Sequence, residues 1–536
     1  MNDVADIIII GSGASGAAAA WSLSRDKSLR IVCFEQGSIS NMSDYPTKSE
    51  DWELSRSEKS SFNPNIRKNL ADYPIDDSDS PISIANFNGY GGSTILYSAH
   101  FPRFHPSDFR VKTLDNIADD WPLSYSDLNP YFDENEKKMG VAGLVGDTAY
   151  PAYSSLLPPV PLGDMGKKLA KAFNEMNWHW WPSYAAINTD KRNNRANCIN
   201  LGPCNVGCSQ GAKGSVDVTY WPSAKLNGVE VFTESRVYEI TLDKNGLADG
   251  ILYFDKHGNE CQFKAKIVIV ACSGIGTPRL LLNSKSEAFP DGLLNDNGLV
   301  GKNLMLHPLA YVEGVFDEDL KSSIGPHGCC ILSQEFYETR SENNFSRGYT
   351  MQILRGAPPI ESATTGYFMR QLSIGKNHHQ DFQKLFNHTA GIAIISEDLP
   401  EKHNRVELDY ENKDSFGLPG VKVHYEMSEN TKKILKHGIK MSKEIFSSAG
   451  AKVTSSFAPV KNSGWHLMGT ARMGSSPETS VVNKFGQAHK VKNIFIVDSS
   501  VFVTSGAVNP VATAQAITLF SCNYIRENIS NISNPL

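Results

Sequence analysis

Two clusters of residues in this sequence have the types and spacing to do chemistry. The first is the run Gly11-Ser12-Gly13-Ala14-Ser15-Gly16. Its spacing makes a phosphate cradle: Gly11 permits a tight turn, Gly13 lets a pyrophosphate reach the backbone, and Gly16 lets a helix touch the strand before it. The N-terminal N–H groups of that helix then face the anion. Glu35, roughly 20 residues further on, is placed to accept hydrogen bonds from a ribose diol. Alone, the motif predicts dinucleotide binding and leaves NAD and FAD open. The second cluster is Cys198, Cys204 and Cys208 in CINLGPCNVGCSQGAKGS. Thiolates are soft ligands for iron and zinc, and Gly202, Pro203 and Gly207 let backbone N–H groups turn toward sulfur. Three ligands are one short of a closed zinc site unless His179 or another residue completes it. An iron–sulfur cluster, a zinc site and purely structural thiols are three open readings.

The elements that must position these groups follow from pattern. Ile7 to Ile10 are four β-branched apolar residues, read as a buried strand, and the alanines that follow as a helix to about Ser24. A second strand, Ile31 to Phe34, delivers Glu35. Residues 36–80 are polar and irregular, with Trp52, Phe62 and Tyr73 as punctuation, and read as a lid. In Asn88 to His105, Gly89, Gly91 and Gly92 let the backbone approach a ligand, while Ser93 and Thr94 add hydroxyls. Helices are expected over Tyr131 to Gly140 and about Met165 to Met176, with the proline-rich 151–161 as a connector. Trp178, Trp180 and Trp181 read as core or interface. Val229 to Ile240 predicts strand, turn and strand. The buried strand Ile267 to Cys272 leads through Ser273-Gly274 to a helix starting at Thr277-Pro278, a second anion-friendly turn. Beyond Tyr311 come alternating strands such as Gly391 to Ile395, Arg405 to Leu408 and Val421 to Tyr425. His378, His379, His388, His403 and His424 lack ligand spacing and are expected to be solvated or packed.

The bulk numbers exclude several classes. At 536 residues and 40% hydrophobic composition the chain can bury a large core. A net charge of −6 and the lack of a long basic run argue against nucleic acid or an anionic membrane as partner. No stretch reaches the roughly 18 apolar residues of a membrane span, and the pattern ahead of the first strand gives no expectation of an export signal. Nine cysteines, an odd count, do not suggest a disulfide framework.

Five segments carry a resemblance. They are GSGASG with Glu35; GGST at 91–94; DWPLSYSDLNPYF at 120–132; ACSGIGTPRLLL at 271–282; and the C-terminal pair HLMGTARMG at 466–474 and VDSSVFVTSGAVNP at 497–510. In this order the chain resembles the glucose-methanol-choline (GMC) flavoprotein oxidoreductases over most of its length. The resemblance implies an α/β fold with an α+β second domain. A Rossmann-type FAD-binding domain, discontinuous in sequence, would comprise 1–40, 81–110, 195–310 and 460–536. The rest would be a lid at 41–80, a connecting helical segment at 111–194 and an antiparallel-sheet substrate domain at 311–459.

It further implies FAD held by Gly11, Gly13, Ser15, Gly16, Glu35, Gly91, Gly92, Ser93, Thr94, Val237, Ala271, Ser273, Asp498, Asn509, Pro510 and Val511. Some members bind flavin covalently through a histidine that falls here on Leu96, so non-covalent FAD is expected. His466 matches the family's catalytic histidine and Asn509 its second active-site position. An imidazole can take the hydroxyl proton of an alcohol near neutral pH, while an amide can only orient the substrate oxygen. His307, in GKNLMLHP, is expected to be structural. The cysteine spacing is similar to that of bacterial sugar dehydrogenase catalytic subunits, which hold a [3Fe-4S] cluster. Long-chain alcohol oxidases also have Cys-rich loops of this kind. The implied activity is oxidation of an alcohol of a sugar, sugar derivative or polyol, with electrons passing to an acceptor other than oxygen. The alternatives are an oxygen-using alcohol oxidase and a non-catalytic flavoprotein subunit. A small subunit or electron-acceptor protein is the expected partner. The expected location is cytoplasmic, or periplasmic if the chain is exported with a signal-bearing partner.

Overall fold

The computed structural model describes residues 4–54, 60–190 and 195–533; residues 55–59 of the expected lid lie outside them. Val4–Ile10 pairs in parallel with Ile31–Phe34 on one side and Glu260–Val270 on the other, in the register Ile7 to Ile31 and Ile10 to Val270. Ile7 to Ile10 are all buried because helices cover the strand, which is why the run is apolar without alternation. Glu230–Phe232 extends the sheet beyond Ile31–Phe34, and Ile494–Ile496 pairs in parallel with the end of Glu260–Val270. The first half of that long strand instead continues antiparallel into Ala248–Phe254 and Arg236–Leu242. The result is one mixed seven-stranded sheet. Helix Ala14–Leu23 packs against both the last helix, Val511–Ser533, and Tyr220–Leu226.

A second sheet is antiparallel throughout, in the order Lys452–Phe457, Leu309–Val315, Thr389–Ser396, Tyr349–Leu354, Ile331–Ser333 and Trp181–Pro182. Helix Glu429–Ser448 packs across it and against helix Gly163–Glu175, burying Ile434, Leu435, Ile445 and Phe446 in a shared apolar layer. Residues 111–194, expected as a helical connector, therefore supply both a covering helix and an edge strand of this sheet. Part of the expected lid also differs: Ile75–Asp79 is a strand, parallel to Pro419–His424, which pairs in turn with Arg405–Lys413.

Helix Ser273–Asn283 starts four residues before the expected Thr277-Pro278, leaving Pro278 inside it. A proline there leaves the carbonyl four residues back without its N–H partner. That carbonyl, Gly274 O, is taken by Thr470 Oγ1 at 2.9 Å. Elsewhere Arg347, buried, ties separate segments through Asp108, Asp115, Glu338 and Glu397, with Nε to Glu397 at 2.9 Å. Among the described residues no helix is long and apolar enough to cross a membrane.

Candidate active site

A cavity of about 660 Å³ runs beneath the glycine turn and under the antiparallel sheet. Gly11, with φ +97°, leaves no room for a side chain: a Cβ there would lie 2.4 Å from Ala271 O. A Cβ on Gly16 would lie 1.8 Å from Gly11 O, so Gly16 sets the strand–helix contact and is not itself a wall of the cavity. Gly13 does line it, as do Ser15 and Glu35. The Glu35 carboxylate accepts from Ser12 N (3.0 Å), Ser12 Oγ (2.7 Å) and Gly37 N (2.8 Å). Burial raises its pKa against the pull of those donors.

The second glycine loop meets the first directly. Gly92, at φ +55°, has no space for a Cβ, which would lie 2.6 Å from Gly13 Cα. Gly91, also left-handed, shapes the turn without lining the cavity, and its N–H donates to Ser12 Oγ at 3.3 Å. Ser93 and Thr94 line the cavity, but their hydroxyls serve the loop itself. Ser93 Oγ accepts from Phe87 N, and Thr94 Oγ1 donates to Gly91 O at 2.6 Å while accepting from Val216 N. A third turn is locked by Asp498, whose Oδ2 accepts from Ser273 N (3.1 Å) and Thr277 Oγ1 (2.6 Å) and whose Oδ1 accepts from Ser500 N (2.8 Å). Ser273 holds φ +69°, a strained backbone for a residue with a side chain. Val237, Ala271, Pro510 and Val511 complete the walls, and Leu96 also lines the cavity. A cradle of backbone, a carboxylate at one end and three converging turns suit a flavin dinucleotide.

His466 and Asn509 line the same cavity. Asn509 Nδ2 stands 3.3 Å from His466 Nε2, and Gln352 Nε2 donates to Asn509 Oδ1, which fixes the amide with its N–H₂ toward the imidazole. Behind His466, its Nδ1 meets His307 Nδ1 at 2.9 Å with the rings perpendicular. Desolvation, with His307 and His100 as neighbours, pushes the His466 pKa well below its ordinary value. The imidazole is therefore neutral at neutral pH and able to accept a proton.

Sequence reasoning missed Gln352 and His100. His100 lines the cavity and is buried; burial depresses its pKa to about 4 against the opposing pull of the Gly328 backbone. Its place inside the second glycine segment was the available signal. Trp178, Trp180 and Trp181 do not line the cavity: Trp178 packs on Phe336, and Trp181 donates to Leu144 O.

The three-cysteine loop does not assemble as expected of a cluster site. All nine cysteines are free thiols, and among the described residues no three His, Cys, Asp or Glu side chains converge to hold a metal ion. Burial pushes the Cys204 thiol up to about 12, and the loop is pinned instead by buried Lys213. Its Nζ donates to Cys204 O (2.6 Å), Ile95 O (2.7 Å) and Tyr97 O (3.1 Å).

Family models described as GMC oxidoreductase match residues 167–309 and 400–518, and one described as an NAD(P)-binding Rossmann-like domain matches 9–56. The chain is 38% identical to the 2-methyl-1,2-propanediol dehydrogenase of Mycolicibacterium austroafricanum, covering 99% of this chain and 96% of that one. It is 25% identical to the fructose dehydrogenase large subunit of Gluconobacter japonicus, over 82% of this chain and 81% of that one. Among solved structures it shares its fold with pyridoxine 4-oxidase from Mesorbium loti, at TM-score 0.67 and 15% identity over 98% of this chain and 99% of that one. With its Rossmann-type sheet, its glycine cradle and these relatives, the chain belongs to the GMC oxidoreductases, FAD-binding enzymes acting on CH–OH donors.

Proposed function

We propose that this protein oxidises an alcohol carbon of a sugar, sugar derivative or polyol and passes the electrons to an acceptor other than oxygen, a small subunit or an acceptor protein. The observation that carries the reading is that His466 Nε2 and Asn509 Nδ2 face one cavity shared with the dinucleotide cradle. His466 Nε2 takes the hydroxyl proton, Asn509 Nδ2 donates to the substrate oxygen and aims the carbinol C–H, and Gln352 keeps Asn509 in that pose. FAD, when bound, supplies the hydride acceptor. Leu96 supports non-covalent binding. Tyr311, Glu313 and Gln371 also line the cavity, with Gln371 Nε2 3.3 Å from Glu313 Oε1, a polar wall suited to further hydroxyls. Likeness to a diol dehydrogenase supports the same substrate class.

The test is anaerobic mixing of the FAD-loaded enzyme with a panel of polyols and sugars, read as loss of the flavin absorbance. Wild type is expected to bleach with at least one of them and His466→Ala to slow by about 10²- to 10⁴-fold. Undiminished bleaching in His466→Ala would remove the assigned base. An oxygen-using oxidase is the second reading, favoured by the fold shared with an oxidase. Turnover with air as the sole acceptor, at the rate seen with a dye, would establish it.

A further inference from the structure

We infer that His307 is a positioning residue: it sets the tautomer of His466 so that the lone pair, not the proton, faces the substrate. The inference rests on His466 acting as the base of alcohol oxidation, and it follows from hydrogen-bond polarity along one chain of atoms. His307 Nε2 lies 2.7 Å from Gly506 O and 3.0 Å from Ser505 O. Carbonyl oxygens only accept, so this nitrogen carries the proton. Burial depresses the His307 pKa to about 4, so the neutral ring holds that single proton and its Nδ1 is a bare lone pair. His466 Nδ1, 2.9 Å away, must then be the donor. Its own neutral ring has one proton, now committed to Nδ1, which leaves Nε2 bare. That is the atom beside Asn509 Nδ2 in the cavity.

Two further features hold His307 in place. Its backbone is left-handed at φ +51°, uncommon for a residue with a side chain, and it is followed by Pro308. Asp398 ties both neighbouring segments: its Oδ2 accepts from Leu306 N at 3.0 Å, and its N–H donates to Ser505 Oγ at 2.8 Å. The two carbonyls that orient His307 therefore belong to the same loop that delivers Asn509. One backbone loop thus fixes the orienting amide directly and the base through two imidazoles.

The arrangement separates two amide substitutions. Asn at 307 places its Oδ1 near the position of the imidazole Nδ1 and keeps an acceptor for His466. Gln places its Nε2 near the ring Nε2, keeping the donor to the carbonyls and losing that acceptor. In anaerobic stopped-flow of the FAD-loaded enzyme, His307→Gln is expected to lower the flavin-reduction rate constant about 10- to 100-fold, the cost of a buried donor left without its partner. Substrate binding, FAD content and melting temperature are expected to stay near wild type. His307→Asn is expected to recover to within about 5-fold of wild type, a difference that loss of packing alone would not produce. Independently of turnover, neutron diffraction from D₂O-exchanged crystals of the wild-type holoenzyme is expected to place deuterons on His466 Nδ1 and His307 Nε2. A deuteron on His466 Nε2 in the resting enzyme overturns the inference. So does a His307→Gln enzyme as fast as wild type, or an Asn variant no faster than the Gln variant. Failure of the alcohol-oxidase reading would show separately, as His466→Ala retaining full activity.

Discussion

The glycines of the first turn divide their work, and single alanines should separate the parts. At Gly13 the φ is −70°, which suits alanine, and an added Cβ finds its nearest neighbour, Gly92 Cα, at 3.7 Å. The fold accepts it at a cost of about 0.5–1 kcal/mol for a poorer N-cap. The methyl, however, occupies the approach that a phosphate needs. Overpacking of this kind costs about 1–3 kcal/mol, or roughly 5- to 150-fold in FAD affinity. At Gly16 the added Cβ would sit 1.8 Å from Gly11 O, a backbone atom that cannot rotate aside. Helix Ala14–Leu23 and strand Val4–Ile10 must separate by more than 1 Å, at about 3 kcal/mol or more, since contact between non-bonded heavy atoms begins near ~3.5 Å. The assay is paired: apparent melting of the flavin-free proteins, and fluorescence titration of each with FAD. Gly13→Ala should melt within about 1 °C of wild type and bind FAD weakly, whereas Gly16→Ala should melt about 3 °C or more lower. Full FAD affinity in Gly13→Ala, or wild-type melting in Gly16→Ala, would refute this division.

Three more outcomes follow from geometry already described. Because the folded pKa of His466 is depressed, the base is neutral above its ordinary value of 6.5. The acid limb of kcat/KM should therefore fall below pH 6.5; a limb at or above that value would contradict the burial argument. Gln352→Leu releases Asn509 Oδ1 and should lower kcat about 5- to 10-fold, the worth of one hydrogen bond, with little change in KM. Arg347→Leu strands the buried carboxylates of Asp108 and Glu397 and should destabilise the fold by about 3–5 kcal/mol, read by denaturant unfolding.

What the sequence made legible was whatever is local. The turn at 11–16 and the strand Ile7 to Ile10 carry their reasons in consecutive residues: β-branching, absent side chains and small helix residues. His466 and Asn509 were readable only through resemblance, because a lone imidazole and a lone amide have no local signature. His307 read as structural, since its partners, His466, Ser505 and Gly506, are contributed by segments far along the chain. Gln352 was invisible for the same reason: an alternating strand reports which face a residue occupies, not which amide it will meet. The start of the helix at 273 was misplaced because Pro278 normally marks a first turn. The Thr470 hydroxyl that lets it sit deeper comes from another element. The strand Trp181–Pro182 is too short to show a period at all.

The seating of Ile494–Ile496 beside Glu260–Val270, and of Asp498 against Ser273 and Thr277, has a consequence for biosynthesis. The glycine turn leaves the ribosome well before the carboxylate that locks the opposing turn and the helix that packs on Ala14–Leu23. A nascent or prematurely terminated chain thus carries a finished nucleotide motif but no finished nucleotide site. Yellow colour in a purified preparation then reports that translation passed residues 494–533, and a nonsense truncation before residue 494 should yield colourless protein, however intact the glycine turn.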